Sequence, residues 1–162
     1  MIFVTVGTHF QQFDRLVRSM DAYARDHPEK VIIQAGFSNY EPVHAKWFRF
    51  VETDEEMDRL YHEADVIVAH GGAGTAITAL SMNKPLAILP RLGRFDEHVD
   101  DQQLELSKAL ADAGLAVMIE DEADIPAAVE RARGKRPYSG DHRASLVDHI
   151  RARVSEQRPR SR

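Results

Sequence analysis

Short apolar, β-branched runs alternate along the chain with segments whose apolar residues recur every three or four positions, and turn residues fall between them. Residues 2–6 predict a first strand, broken at Gly7-Thr8. Phe13, Leu16, Val17 and Met20 then recur at helical spacing, which predicts a helix over residues 12–25, stopped by His27-Pro28. Residues 30–35 and 47–51 predict strands on either side of a loop, and Thr53 with Glu56 forms a capping-box signature for a helix to His62. Residues 66–69 form a short apolar run of the kind buried on both faces. A glycine-rich turn follows, then a helix over 74–82, a strand over 86–89 and a polar loop from Pro90. A helix over 101–113 ends at Gly114 in a C-cap position, followed by a strand over 115–119 and helices over 125–133 and 141–154.

Six short strands separated mostly by helices imply right-handed crossovers and one parallel sheet covered on both faces. The expected fold is therefore α/β, a doubly wound parallel sheet of the Rossmann-like kind. In such sheets the ligand crevice lies beyond the carboxyl ends of the strands, where the chain order reverses. Chemistry is expected in the loops at 7–12, 36–41, 51–53, 70–75 and 90–103.

Composition narrows the class. The 162 residues are one domain's worth of sequence, 43% hydrophobic and 29% charged, without cysteine. Disulfides, thiol catalysis and cysteine-based metal sites are excluded. A net charge of -5 gives no footprint for nucleic acid. The charge is uneven, since residues 131–162 hold 10 Lys/Arg against 3 Asp/Glu and residues 1–130 hold 11 against 23. An acidic body thus ends in a basic tail, and the expected division is a domain over 1–154 with a tail over 155–162. The first residues lack the features of a secretory signal, so a cytoplasmic protein starting at Met1 is expected. Residues 66–83 carry no Asp, Glu, Lys or Arg, but His70, three glycines and several hydroxyls argue against a membrane span.

Three segments carry candidate chemistry. Ala69-His70-Gly71-Gly72-Ala73-Gly74-Thr75 lies between a buried strand and a helix. Its glycines allow close backbone approach, and the helix N-terminus and the Thr75 hydroxyl add donors that suit a phosphate. It matches neither a P-loop nor the dinucleotide spacing, and the alternative is a tight turn without a ligand. The loop from Pro90 to Gln103 concentrates Arg91, Arg94, Glu97, His98, Asp100, Asp101, Gln102 and Gln103, a mixture of donors and acceptors that matches sugar hydroxyls. The competing reading is that Asp100 or Asp101 caps the helix while Arg91 and Arg94 stay solvated. Gly7-Thr8-His9 follows the first strand and places His9 at the crevice mouth, as a base or a phosphate contact. No metal-binding spacing and no serine nucleophile elbow occurs, so no metal site is expected.

Together with Phe13-Asp14-Arg15-Leu16-Val17, these segments resemble the nucleotide-sugar half of family 28 glycosyltransferases over residues 1–124. The resemblance is closest in kind to short bacterial exopolysaccharide or capsule proteins that form one subunit of a split GT-B enzyme. The chain is also similar to the donor-binding subunit of the split N-acetylglucosaminyltransferase of N-glycan assembly and to the C-terminal half of the lipid II-forming enzyme. This implies that the fold equals the C-terminal half of a GT-B enzyme, with 1–154 binding a nucleotide sugar. It implies that the backbone around Val51 reads uracil and that His70, Gly71, Gly72, Ala73, Gly74 and Thr75 hold the diphosphate. The donor sugar falls to Arg91, Glu97, His98, Asp101, Gln102 and Gln103. Many relatives carry a ribose-binding Glu seven positions before the proline of the next strand, and counting back from Pro85 reaches Thr78, which offers one hydroxyl and no carboxylate.

The resemblance also implies an inverting transfer of a hexose from a UDP-sugar to a lipid-linked saccharide acceptor, with no obligatory metal or other cofactor. The acceptor half is expected from a membrane-anchored partner subunit, which could hold the catalytic base in place of His9. The protein would then sit peripherally on the inner face of the plasma membrane. In isolation a homodimer through the partner face is possible. Helix 141–154, through Leu146, Val147 and Ile150, and the arginines of the tail are the expected contacts to partner or anionic lipid. The alternatives are a nucleotide-sugar hydrolase acting alone and a non-catalytic nucleotide-sugar-binding subunit that enhances a partner transferase.

Overall fold

The computed structural model describes residues 1–135; the helix expected over 141–154 and the basic tail lie outside the described residues. Six parallel strands, β1 (Ile2–Thr5), β2 (Val31–Gln34), β3 (Lys46–Phe48), β4 (Val66–Ala69), β5 (Leu86–Ile88) and β6 (Val117–Met118), form one sheet in the order β3-β2-β1-β4-β5-β6. Among the described residues five α-helices connect or follow them: α1 (Asp14–Asp26), α2 (Asp54–Glu63), α3 (Ala73–Ser81), α4 (Gln102–Asp112) and α5 (Ile125–Arg133). The sheet is the doubly wound α/β fold expected from the alternation, with β1 and β4 side by side at the point where strand order reverses. Thr5 of β1 pairs in register with Ala69 of β4, so both strands end level and their next residues meet above the sheet.

Strand side chains alternate between the two faces, and both faces are buried. Ile2, Val4, Val66 and Val68 pack under α1 and α5, against Leu16, Val17, Met20, Ile125 and Val129. Phe3, Ile67, Leu86 and Ile88 face Tyr61 of α2, Ala76, Ala79 and Leu80 of α3, and Leu106 and Leu110 of α4. The local end signals act as expected. Thr53 Oγ1 accepts the Glu56 N–H at 3.3 Å, while Glu56 Oε2 reaches back to the Glu52 N–H at 3.2 Å. Gly114 takes φ +73, and the Leu115 N–H folds back to the Leu110 carbonyl.

Several boundaries differ from the periodicity, each for a hydrogen-bonding reason. Helix α1 starts at Asp14 rather than residue 12, because the Gln12 side chain accepts the Asp14 N–H at 2.7 Å. Strand β3 ends at Phe48 rather than Val51, where the Arg49 guanidinium donates to the carbonyls of Gly36 and Ser38. Strand β6 is shorter than 115–119 because the Leu115 and Ala116 N–H groups both return to Leu110.

One buried carboxylate escaped the sequence reading. Asp21, on α1 and 1% exposed, accepts the Tyr40 hydroxyl and the Val43 N–H on one oxygen and the His44 and Ala45 N–H groups on the other. Burial pushes its pKa up, but these donors outweigh burial and hold it below the ordinary carboxylate value. Asp21 thereby pins the β2–β3 connection to α1. Asp21→Asn turns an amide toward these donors and is expected to lower the unfolding free energy by about 2–4 kcal/mol. Urea denaturation checks this, and an unchanged midpoint would mean that the clamp carries no weight.

Candidate functional site

The crevice at the switch point is built around His70. A Cβ added to Gly7, which has φ +73, would lie 2.6 Å from His70 Cε1, and one added to Gly72 would lie 2.4 Å from its Nε2. Glycine at both positions lets the backbone close on the imidazole from two sides. His70 Nδ1 is 3.3 Å from the Thr5 carbonyl, which can only accept, so the proton sits on Nδ1 and Nε2 carries the lone pair. Burial, then the nearby Arg91 charge, lowers the His70 pKa to about 4 against the opposing pull of the Thr5 carbonyl. The ring is neutral at physiological pH and acts as a spacer between the ends of β1 and β4.

Beyond His70 lies a cavity of about 580 Å³, lined by Thr5, Gly7 and Thr8 from the β1 end, Gln34 from β2, and Gly72, Gly74, Thr75 and Thr78 from the start of α3. Its far wall is α2, with Asp54, Met57, Asp58 and Tyr61. The first bond of α3 runs from the Ala76 N–H to the Gly72 carbonyl, and Gly72 brings no side-chain cap. Among the described residues the N–H groups of Ala73, Gly74 and Thr75 therefore stay open, and the positive end of the helix faces the cavity. A Cβ on Gly74 would meet nothing within 4 Å. Thr78 lines the same cavity, but its hydroxyl donates to the Gly74 carbonyl at 3.0 Å. Val51 lies outside this cavity, in an adjoining groove with Trp47, Phe50 and Leu60.

The second wall of the crevice mouth is the loop after β5, and Arg91 holds it in place. Arg91 is fully buried. Its Nη1 donates to the carbonyls of Gln11, Gln12 and Glu97 at 2.9–3.0 Å, and its Nη2 donates to Val6 at 2.9 Å. Burial lowers its pKa to about 10 while Glu97 opposes this, so the guanidinium stays charged at neutral pH. Glu97, 1% exposed, accepts Arg15 Nε and Nη2 at 2.9 and 2.8 Å and the Leu92 N–H at 3.1 Å. Two residues expected to touch the donor sugar, Arg91 and Glu97, are thus corrected. Their polar atoms are turned inward and tie the loops after β1 and β5 together.

His9 and His98 meet across these two loops, with ring centroids 4.8 Å apart, and His98 Nδ1 lies 3.0 Å from Asp100 Oδ1. Burial, then the His98 and Arg91 charges, lowers the His9 pKa, with Asp100 opposing. Asp100 Oδ1 also accepts the Gln102 N–H at 3.1 Å, one residue before the N-cap position, where Asp101 makes no side-chain cap bond. Asp101 instead accepts the Gly93 N–H and lines a different cavity, beside β5 and β6. Gln102 is exposed, and Gln103 Oε1 is buried with no donor among the described residues. Gly71, at φ +90, brings the turn against α4, since a Cβ there would lie 2.7 Å from Ser107 Oγ and 3.2 Å from the Gln103 carbonyl. The start of α4 is therefore set beside the glycine-rich turn. Among the described residues no group of three or more His, Asp or Glu side chains converges as a metal site. Nor, among those residues, is any helix long and apolar enough to cross a membrane. Asp54 and Asp58 are the site residues missed from sequence; their i, i+4 spacing on the helix before β4 was the available signal.

Residues 1–151 match the glycosyltransferase family 28 C-terminal domain. The chain belongs to this family. This family 28 domain is 25% identical over 114 residues to the UDP-N-acetylglucosamine--N-acetylmuramyl-(pentapeptide) pyrophosphoryl-undecaprenol N-acetylglucosamine transferase of Shewanella piezotolerans. That alignment takes in 65% of this chain and 30% of the relative, so the chain spans under a third of the relative's length. Among solved structures, MurG of Acinetobacter baumannii superposes with TM-score 0.56 and 19% identity, over 92% of this chain and 49% of that one. The calicheamicin glycosyltransferase CalG4 gives TM-score 0.62 and 18% identity over 98% of this chain and 44% of its own. The ALG13 solution structure gives 0.63 and 18%, over 92% of this chain and 94% of its own. At these identities the structural likenesses establish the fold of the family 28 domain.

Two outcomes follow from the His70 clamp. Gly74→Ala, whose methyl enters open space, is expected to leave stability unchanged or raise it by up to about 1 kcal/mol, whereas Gly72→Ala collides with the imidazole and lowers it. Parallel urea melts distinguish the two, and equal effects would overturn the close packing at Gly72. The unfolded chain regains the ordinary histidine value of 6.5 while the native ring holds out to about 4, so unfolding takes up a proton between these values. This contribution to stability is full above pH 6.5 and is lost as the pH falls toward 4. Denaturation across that range should show a slope that flattens in His70→Gln.

Proposed function

We propose that this domain binds a UDP-sugar and serves as the donor half of a glycosyltransferase, transferring a hexose with inversion to a lipid-linked saccharide. The acceptor side is then contributed by a membrane-anchored partner subunit, in exopolysaccharide or capsule synthesis, and the domain works at the inner face of the plasma membrane. The observation that carries this reading is the polarity of the switch-point cavity. One end presents the open N–H groups of α3 and the Thr75 hydroxyl, suited to a diphosphate, and the other presents the Asp54 and Asp58 carboxylates, suited to hydroxyl donors. A nucleoside diphosphate has this arrangement of charge and hydroxyls. Family membership supports the same reading, as does the N-acetylglucosamine transfer named for the Shewanella relative.

In this reading the α3 amides stabilise the departing UDP without an obligatory metal, and the carboxylates of α2 take the ribose contacts that Thr78 cannot make. Arg91 and Glu97 position the sugar-side loop from within. His9 and His98, in tilted ring contact at the mouth, together with Gln102 and Gln103 at the start of α4, stand on the sugar side. The base is His9, its pKa lowered by burial, or a group of the partner. Thr78, with its hydroxyl donated to Gly74, favours a second reading, a non-catalytic nucleotide-sugar-binding subunit that enhances a partner transferase.

Calorimetry with UDP, UDP-glucose, UDP-galactose, UDP-glucuronate and UDP-N-acetylglucosamine tests the donor site. Uridine-nucleotide binding is expected, weakened about 10-fold in Asp58→Asn with inorganic pyrophosphate binding retained, and weakened in Gly74→Ala despite its intact fold. No binding of any uridine nucleotide at millimolar concentration would sink the proposal. Transfer that appears only with membranes containing the partner, and that is lost when this domain's crevice is mutated, separates catalyst from regulator.

A further inference from the structure

A second cavity, of about 380 Å³, opens at the carboxyl ends of β5 and β6 and shares no lining residue with the switch-point cavity. The loop carrying buried Arg91 separates the two. Its volume lies within the range of about 300–1,000 Å³ common for small-molecule sites. Leu89, Leu92, Leu104, Met118 and Ile119 supply apolar walls, with Leu89 and Ile119 almost wholly buried. Two cations, Arg94 and Lys108, also line it. Both are exposed, and among the described residues neither lies within ion-pair distance of a carboxylate. The Arg94 guanidinium lies over the Phe95 ring at 4.8 Å.

The cavity also holds one further cation and two carboxylates. Arg15 is paired with Glu97, Asp101 accepts the Gly93 N–H, and Glu120 stands exposed at the end of β6. An apolar cleft whose rim carries Arg94 and Lys108, neither ion-paired among the described residues, is poorly matched to a wholly polar ligand, which would not use its walls, while those two cations offer charge partners to an anionic head. We propose that this cavity is a binding site for an anionic amphiphile, with a short hydrocarbon chain against Leu92, Leu104 and Met118 and a phosphate head held by Arg94 and Lys108. The chain gains from leaving water, and the head gains charge-assisted hydrogen bonds at the rim. Such a head can come from a soluble phosphate ester or from an anionic lipid. The site is independent of the donor reading, because none of its residues reaches the switch-point cavity.

Octyl phosphate, kept below its micelle concentration and titrated into the full chain, is the probe. Amide resonances of Leu92, Leu104, Met118 and Ile119 are expected to shift, with the switch-point residues Gly72 and Gly74 unmoved. The double substitution Arg94→Gln with Lys108→Gln, both at exposed positions, is expected to weaken binding at least about 10-fold with an unchanged thermal melt. Octanol and inorganic phosphate, which each lack half of the recognised chemistry, should bind at least about 10-fold more weakly. Sedimentation with phosphatidylglycerol vesicles assigns the source: pull-down lost in the double variant indicates a lipid head, and octyl phosphate binding without such pull-down indicates a soluble ester, both supporting the site. No shift at the cavity residues, or undiminished affinity in the double variant, overturns it. Leu104→Gln provides a second check from the apolar wall, and unchanged octyl phosphate binding in that variant would also count against the proposal.

Discussion

A charge confined to the interior organises the carboxyl edge of this domain. Stripping water from the Arg91 guanidinium costs several kcal/mol, which carbonyl oxygens arranged around it and the nearby Glu97 charge offset. Four such oxygens come from two loops far apart in sequence, three of them from the residues after β1 and one from the loop after β5. Neither loop can move away without leaving the cation unpaired. Glu97 and Arg15 extend the same constraint to α1, so the loop after β5 is held by ionic groups beneath it.

The switch-point crevice adds a steric constraint to this electrostatic one. His70 is neutral and fills the space between Gly7 and Gly72, so the imidazole sets the gap between the ends of β1 and β4. Gly71 performs the corresponding task toward α4, where its missing side chain admits Ser107. These contacts aim the start of α3 at one cavity and place the start of α4 beside the same turn. The glycine-rich turn therefore joins three elements as well as turning the uncapped start of α3 to the cavity.

Much of this fold is legible in the sequence, because the forces that choose it are local or periodic. Buried β-branched runs, the Thr53–Glu56 box and Gly114 each declare their structure within a few residues. The glycine-rich turn is legible for the same reason. Arg91 and Glu97 are not, since a charged residue in a polar loop has the same local pattern whether it faces solvent or the interior. Their burial depends on carbonyls some 80 residues away in the chain, as the Arg91 contacts to Gln11 and Val6 make plain. Asp21 is hidden likewise: it sits in an amphipathic helix, and its partners belong to the β2–β3 connection. Asp54 and Asp58 share a helix face by their i, i+4 spacing, but that this face forms the wall opposite α3 follows only from the packing of α2.

The open amides of α3 also bear on how such a domain can diverge. The end of the crevice at the start of α3 is made chiefly of main-chain groups, which every amino acid carries, while the opposite wall is made of side chains on α2. Substitution can therefore redraw the α2 wall, residue by residue, without dismantling the main-chain end. A scaffold with 18% identity to a calicheamicin glycosyltransferase still keeps the same architecture. In a domain of this design, loss of sequence likeness and loss of the main-chain geometry at the crevice are separate events, and the side chains of the opposite wall are free to change first.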